Sequence, residues 1–270
     1  MSQVAAIQMA SGPQVSANLT EAARLIARAA QSGARLVVLP ENFAIMPVKE
    51  SERLAAAEAE GQGPIQNFLV QQARTHGIWL VAGTIPLRTQ SGERVRSACI
   101  VYDDRGARVA RYDKIHLFDV RLESGEQYNE SAAFEPGADT VVCDSPFGRI
   151  GLAICYDLRF PELFRRLLDA GAEIFAVPSA FTARTGRAHW EILVRTRAVE
   201  NLCYVIAAAQ GGYHLNGRET WGDSMIVNPW GEVLDRLPRG SGVVAANLDL
   251  RLQARMRGSF PSIQHRRLRA

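Results

Sequence analysis

The sequence predicts an α/β protein: a four-layer α-β-β-α sandwich of two mixed sheets with helices outside. Three observations predict it. Short apolar runs alternate with amphipathic helical stretches, the pattern of β-α-β units and parallel strands. Such a unit occurs in each half. Gly33-Ala34-Arg35-Leu36-Val37-Val38-Leu39-Pro40-Glu41-Asn42-Phe43 aligns without a gap to Gly171-Ala172-Glu173-Ile174-Phe175-Ala176-Val177-Pro178-Ser179-Ala180-Phe181, and each copy follows a strand and a helix. Hairpin patterns between them add antiparallel strands. Because β-α-β crossovers are right-handed, each half covers one sheet face with helices and leaves the other face for its partner sheet.

In chain order, residues 4–8 read as a short buried strand. Residues 17–31 read as a helix with Leu19, Ala22, Ala23, Ile26, Ala27 and Ala30 on one stripe, stopped by Gly33. Residues 35–39 form an apolar run ending at Pro40-Glu41-Asn42-Phe43. Residues 50–60 and 65–75 are helical, split by Gly61-Gln62-Gly63-Pro64. Residues 78–85 form one strand. Residues 96–102 and 108–112 pair as a hairpin around Asp103-Asp104-Arg105-Gly106. Residues 113–137 are polar and weakly patterned, and a long loop of that kind usually carries function. Strands follow at 140–143 and 149–155, a helix at 162–170 and a strand at 173–177. A helix spans 187–201. The last strands are 204–209, 224–228, 232–236 and 242–248. A helix at 250–257 precedes a basic tail. No Gly/Ser/Pro tract divides the halves, so residues 1–270 read as one domain.

The 270 residues are 47% hydrophobic, enough for a sizeable core. A net charge of +3 gives no argument for nucleic acid or a membrane surface. No apolar run approaches the roughly 18 residues of a membrane span. The start, Met1-Ser2-Gln3-Val4, lacks a basic, then apolar leader pattern. Cys99, Cys143, Cys155 and Cys203 are widely spaced with no C-x-x-C, and no His/Cys pair has metal-ligand spacing. The expectation is a cytoplasmic protein with reduced thiols and no metal. Lys49 and Lys114 are the only lysines among 31 basic residues. A lysine kept in so arginine-rich a chain suggests a need for a compact ammonium.

The stretch Arg149-Ile150-Gly151-Leu152-Ala153-Ile154-Cys155-Tyr156-Asp157-Leu158-Arg159-Phe160-Pro161-Glu162 puts Cys155 at the end of an apolar strand. Pro161 suits the first turn of a helix. A helix dipole and nearby cations at that place would lower the thiol pKa. Glu41 and Lys114 also abut apolar strand ends. A carboxylate, an ammonium and a thiol meeting in one pocket are the groups acyl transfer needs: a base, an oxyanion stabiliser and a nucleophile. Each residue alone also has an ordinary reading. Cys155 also reads as a small core hydrophobe, Glu41 as a cap or arginine partner, Lys114 as a surface group. His116 and His189 suggest a Cys–His hydrolase, but nothing in the pattern sets an Asp or Asn behind either ring.

Leu39-Pro40-Glu41-Asn42-Phe43, Tyr112-Asp113-Lys114-Ile115-His116-Leu117-Phe118-Asp119 and Gly151-Leu152-Ala153-Ile154-Cys155-Tyr156-Asp157-Leu158-Arg159-Phe160-Pro161-Glu162 resemble, in order, the three signatures of the nitrilase superfamily of carbon–nitrogen hydrolases. The resemblance implies the nitrilase sandwich, Glu41 as general base, Lys114 as oxyanion stabiliser and Cys155 as nucleophile. It matches the family's second glutamate to Glu130, with Glu126 as the lesser candidate. It implies no metal or cofactor, and a homodimer formed through helices near the nucleophile, with the tail at about 258–270 in the contact. Pro178-Ser179-Ala180-Phe181-Thr182, Ala188-His189-Trp190-Glu191, Arg197-Ala198-Val199-Glu200-Asn201, Ala207-Ala208-Ala209-Gln210 and Gln264-His265-Arg266-Arg267 resemble the Nit branch. That branch implies a small-molecule amide substrate. The expected reaction hydrolyses the amide of deaminated glutathione to 2-oxoglutarate and cysteinylglycine through a cysteine thioester. The alternatives are 2-oxoglutaramate, another small amide, or a catalytically silent dimeric scaffold. One departure is Trp221-Gly222-Asp223-Ser224, where these relatives carry Gly-His-Ser. Arg159 is the candidate for a substrate carboxylate, against an ion pair with Glu162. Tyr156, Phe181 and Thr182 are candidate pocket residues, with core packing as the other reading of Phe181.

Overall fold

The computed structural model describes residues 2–122 and 125–268. Two positions of the 113–137 segment, and the last two residues of the expected contact tail, lie outside the described residues. Two large sheets face each other. The first runs in the order Gly242–Leu248, Ser2–Gln8, Leu36–Val38, Trp79–Val81, Val95–Tyr102, Ile85–Arg88, with Arg108–Asp113 also paired to Val95–Tyr102. The second runs Val233–Leu237, Ser224–Val227, Tyr204–Ala209, Ile174–Ser179, Ile150–Leu152, Val142–Cys143. Each sheet has three parallel strands at its heart. The two copies of the sequence repeat, Leu36–Val38 and Ile174–Ser179, are the middle strand of those triplets.

The strand period of two sorts the side chains. Val4, Ala6, Leu36 and Val38 point into the seam, where they join Ile150, Leu152, Ile174 and Ile206. Ala5, Ile7, Val37 and Leu39 point outward against Leu25, Ile26, Leu69 and Ala73 of helices Val15–Gln31 and Pro64–His76. Helices Pro161–Asp169 and Ala183–Asn201 cover the other sheet through Phe164, Leu167, Trp190 and Val194. The sandwich is therefore the one expected. No described helix is long and apolar enough to cross a membrane.

Several elements differ from the sequence expectation, each for a visible reason. The first helix buries Ala22, Leu25, Ile26 and Ala29, so its apolar face is turned away from Ala23 and Ala27. The helix begun at Glu50 stops at Ala55. Glu58 leaves it to cap the next helix, accepting from the N–H groups of Ile65 (2.6 Å) and Gln66 (3.1 Å). The run 78–85 breaks into two strands at Gly83, whose φ is 58°. A Cβ there would lie 2.1 Å from the Pro40 carbonyl oxygen, so glycine lets the chain pass beneath the Glu41 turn. The 113–137 segment is not structureless. It holds a hairpin, Asp119–Arg121 with Gln127–Asn129, and a 3₁₀ turn at Glu130–Ala132. The hairpin Gly211–Tyr213 with Glu219–Trp221 has no apolar alternation and gave no sequence signal.

Candidate active site

Glu41, Lys114, Glu130 and Cys155 reach one cleft from four places in the chain. Glu41 follows the middle strand of the first sheet. The chain turns at once, with Asn42 in a left-handed φ of 57°. The Asn42 N–H donates to Thr84 Oγ1 at 2.9 Å, and Gln210 Nε2 donates to the Glu41 carbonyl at 3.0 Å. Lys114 follows the strand Arg108–Asp113 and is 2% exposed. Its Nζ lies 2.8 Å from Glu41 Oε1 and 2.8 Å from both oxygens of Glu130. Burial alone would lower the Lys114 pKa; Glu130 and Glu41 outweigh it and hold the ammonium well above its ordinary range. A second tie fixes Glu130, whose Oε2 accepts from the Phe118 N–H at 2.6 Å.

Cys155 is placed differently from the expectation. The strand ends at Leu152, and Cys155 opens the 3₁₀ segment Cys155–Arg159; the helix begins only at Pro161. The helix that follows therefore does not start at the cysteine. Cys155 instead has a left-handed φ of 48°, a conformation that non-glycine residues adopt only when their surroundings impose it. Asp157 imposes it. Its fully buried carboxylate accepts from Tyr112 OH (2.6 Å), the Ile154 N–H (2.8 Å) and the His116 N–H (3.2 Å), and meets His116 Nδ1 at 2.7 Å. The thiol pKa is also shifted the other way. Burial and the Glu41 charge push it well above its ordinary value, against the pull of Lys114 and an N–H bond from Ala180. The Glu41 carboxylate thus disfavours the thiolate and is placed to receive the thiol proton.

An aspartate does stand behind His116, contrary to the sequence expectation. The ring nevertheless lies flat on Phe160, with centroids 3.7 Å apart and planes 5° apart, and it does not line the cleft. His189 is exposed on its helix, and its Nδ1 accepts from Arg159 Nη1 at 3.2 Å. Arg159, Tyr156, Phe181 and Thr182 all line the cleft. The Arg159 guanidinium stands over Tyr156 (5.7 Å) and Phe181 (5.4 Å) and forms no ion pair with Glu162 or any other described residue. Phe181 serves both readings, since it also packs edge-on against Trp190. Thr182 caps the helix Ala183–Asn201, its Oγ1 accepting from the Thr185 N–H at 3.2 Å. Sequence reasoning missed Asp157, although it sits inside the quoted stretch, and Arg218, which lines the cleft from the unexpected hairpin. Asp223 is buried and pairs with Arg236 at 2.6 Å.

The cleft encloses about 720 Å³, open mouth included, within the roughly 300–1,000 Å³ of small-molecule sites. Among the described residues, no cluster of His, Cys, Asp and Glu could hold a metal ion. Fold and site together define a class, the hydrolases of non-peptide carbon–nitrogen bonds.

The family model for carbon–nitrogen hydrolases matches residues 3–257. A deaminated glutathione amidase of Yersinia enterocolitica is 40% identical over 266 residues, 98% of this chain and 92% of that protein. A deaminated glutathione amidase of Synechocystis is 42% identical, covering 97% of each. The crystal structure of the C. elegans NitFhit protein superposes with a TM-score of 0.93 at 36% identity. The match covers 98% of this chain and 65% of the longer C. elegans one. The chain belongs to the carbon–nitrogen hydrolase family.

Proposed function

We propose that this protein is an amidase that hydrolyses the amide of deaminated glutathione, releasing cysteinylglycine and 2-oxoglutarate through a Cys155 thioester. The supporting observation is the buried Glu41–Lys114–Glu130 cluster, with its 2.8 Å contacts, set beside the Cys155 thiol in one cleft. The two amidase relatives supply the substrate class. As Cys155 Sγ attacks the carbonyl carbon, Glu41 takes the thiol proton. The carbonyl oxygen gains negative charge, and the Lys114 ammonium stabilises it. Glu130 keeps Lys114 charged and aimed. Glu41 then gives its proton to the amide nitrogen, the C–N bond breaks, and cysteinylglycine leaves. Water enters, Glu41 takes one of its protons, and hydroxide attack on the thioester releases 2-oxoglutarate. The Cys155 thiolate recovers its proton from Glu41. Arg159 binds a substrate carboxylate, while Tyr156, Phe181 and Thr182 shape the wall.

Purified protein incubated with deaminated glutathione and, separately, 2-oxoglutaramate tests this by mass spectrometry of the products, with Cys155→Ala as control. Cys155-dependent release of cysteinylglycine, with strong preference over 2-oxoglutaramate, is expected. Preference for 2-oxoglutaramate, or no turnover of either, overturns the reading.

We further propose a cytoplasmic homodimer of one domain per chain, residues 1–270. Ile192, 67% exposed, and the exposed Val199, Trp230 and Phe260 support it. The Arg195 Nε bond to the Gly231 carbonyl (2.8 Å) and the Trp230–Phe260 ring contact tie the end of the last helix and Phe260 to this face. Light scattering should give twice the chain mass, and Ile192→Asp should shift it to the monomer; a monomeric parent protein would refute the proposal.

A further inference from the structure

The cleft holds four cations, and two of them have no counter-charge among the described residues. Lys114 is surrounded by Glu41 and Glu130. Arg53 bonds Glu50 Oε2 and Asn42 Oδ1, both at 2.9 Å. Arg159 and Arg218 form no ion pair among the described residues. Arg218 stands out further. Its Nε is the one buried side-chain nitrogen or oxygen among the described residues that lacks a hydrogen-bond partner. A buried, unsatisfied donor in a native structure calls for an explanation, and the guanidinium that carries it lines the cleft, where an anion can reach it.

The hairpin that carries Arg218 is held in place before any ligand arrives. His214 is buried there, with Nδ1 2.8 Å from the Ser11 carbonyl and Nε2 2.8 Å from Thr220 Oγ1. The Arg218 N–H donates to Asn216 Oδ1 at 3.0 Å. The guanidinium lies 5.1 Å from the centre of the Tyr128 ring. From Tyr128 a row of rings leads to the other free cation. Tyr128 meets Phe118 at 5.1 Å, Phe118 meets Tyr156 at 5.0 Å, and Tyr156 lies under Arg159 at 5.7 Å. The two guanidinium forks, shaped for carboxylates, thus sit at opposite ends of a three-ring row and address two separate anions.

We propose that Arg218 recognises the carboxylate of the leaving amine, at the far end of the substrate from the acyl group's own carboxylate, which Arg159 binds. The inference rests on the amidase reading above. The assignment follows from attachment. Arg159 lies on the same 3₁₀ segment as Cys155, the element to which the acyl group stays bonded. Arg218 lies on a separate hairpin that has nothing to hold once the amine departs. The substrate class is an amide with a carboxylate on each side of the scissile bond.

The test compares deaminated glutathione with its analogue in which the terminal glycine carboxylate is a carboxamide. The parent enzyme should prefer the acid by about 10–100-fold in kcat/KM, expressed in KM, as expected for a charge-assisted hydrogen-bonded pair. In Arg218→Gln the preference should collapse to about twofold or less, while Arg159→Gln should keep it. The preference is a ratio measured within each variant, so a smaller folded fraction does not change it. A preference that survives in Arg218→Gln, or that is absent from the parent enzyme, refutes the Arg218 assignment and leaves the amidase reading standing. If the parent enzyme hydrolyses neither compound, the amidase reading falls and takes the assignment with it.

Discussion

The two copies of the internal repeat run parallel courses and deliver different chemistry. Leu36–Val38 and Ile174–Ser179 are each the middle parallel strand of their sheet, and both end at the cleft. The first copy turns sharply after Pro40 and presents a side chain, the Glu41 carboxylate. The second stays extended through Ser179 and presents backbone, the Ala180 N–H, which favours the thiolate form of Cys155. Their final residues diverge as well. Phe43 is wholly buried in the outer core, whereas Phe181 faces the cleft under Arg159. One scaffold, used twice, therefore offers a titratable group from one half and a fixed dipole from the other.

Substitutions can break that comparison. Glu41→Gln should have the largest effect, lowering kcat by about 10³–10⁴-fold, near the upper range for loss of a general base. It should also act on the thiol in the opposite sense. Burial remains, but the carboxylate that disfavours the thiolate is gone while Lys114 stays. The thiol pKa should fall, and iodoacetamide should alkylate Cys155 faster at neutral pH while turnover is lost. A slower alkylation would contradict the assigned charge balance. Lys114→Ala should lower kcat by about 10²–10³-fold, and Lys114→Arg should not rescue it, because a planar fork does not fit between Glu41 and Glu130. Near-normal turnover in either would remove Lys114 from the mechanism. Ser179→Ala, at the position equivalent to Glu41, should have the smallest effect. The hydroxyl makes only a 3.4 Å bond to the Val177 carbonyl, so turnover should stay within about twofold and stability within about 1 kcal/mol. A large loss of kcat would show that the second copy contributes a side chain after all.

What could be read from the sequence follows from how far each interaction reaches. The sandwich was readable because strand and helix periods are local and the repeat doubled the signal. Glu41, Lys114 and Cys155 stood out because each polar residue interrupts an apolar run. The direction of the thiol shift was not readable, since it depends on Glu41, more than a hundred positions away, and on a strand that ends before Cys155. Asp157 sat in view, but its partners, the buried Tyr112 and the half-buried His116, come from another sheet edge. Gly83 lay in a continuous apolar run, and its break is caused by Pro40 passing above it. Arg218 lies in a glycine-rich polar hairpin with no periodicity, so only its buried Nε and the ring beneath it single it out.

The strand Gly242–Leu248 pairs with Ser2–Gln8 across seven residues. On the ribosome, the strand Ser2–Gln8 must therefore wait for residues 242–248 before its outer edge is closed. Until then it presents an open row of backbone donors and acceptors to any passing strand. The helix Val15–Gln31 and the parallel neighbour Leu36–Val38 can shield one face and one edge early, but not the other edge. Chains cut between residues 218 and 242 should be far more prone to aggregate than chains cut after residue 248, although both would carry every residue of the cleft.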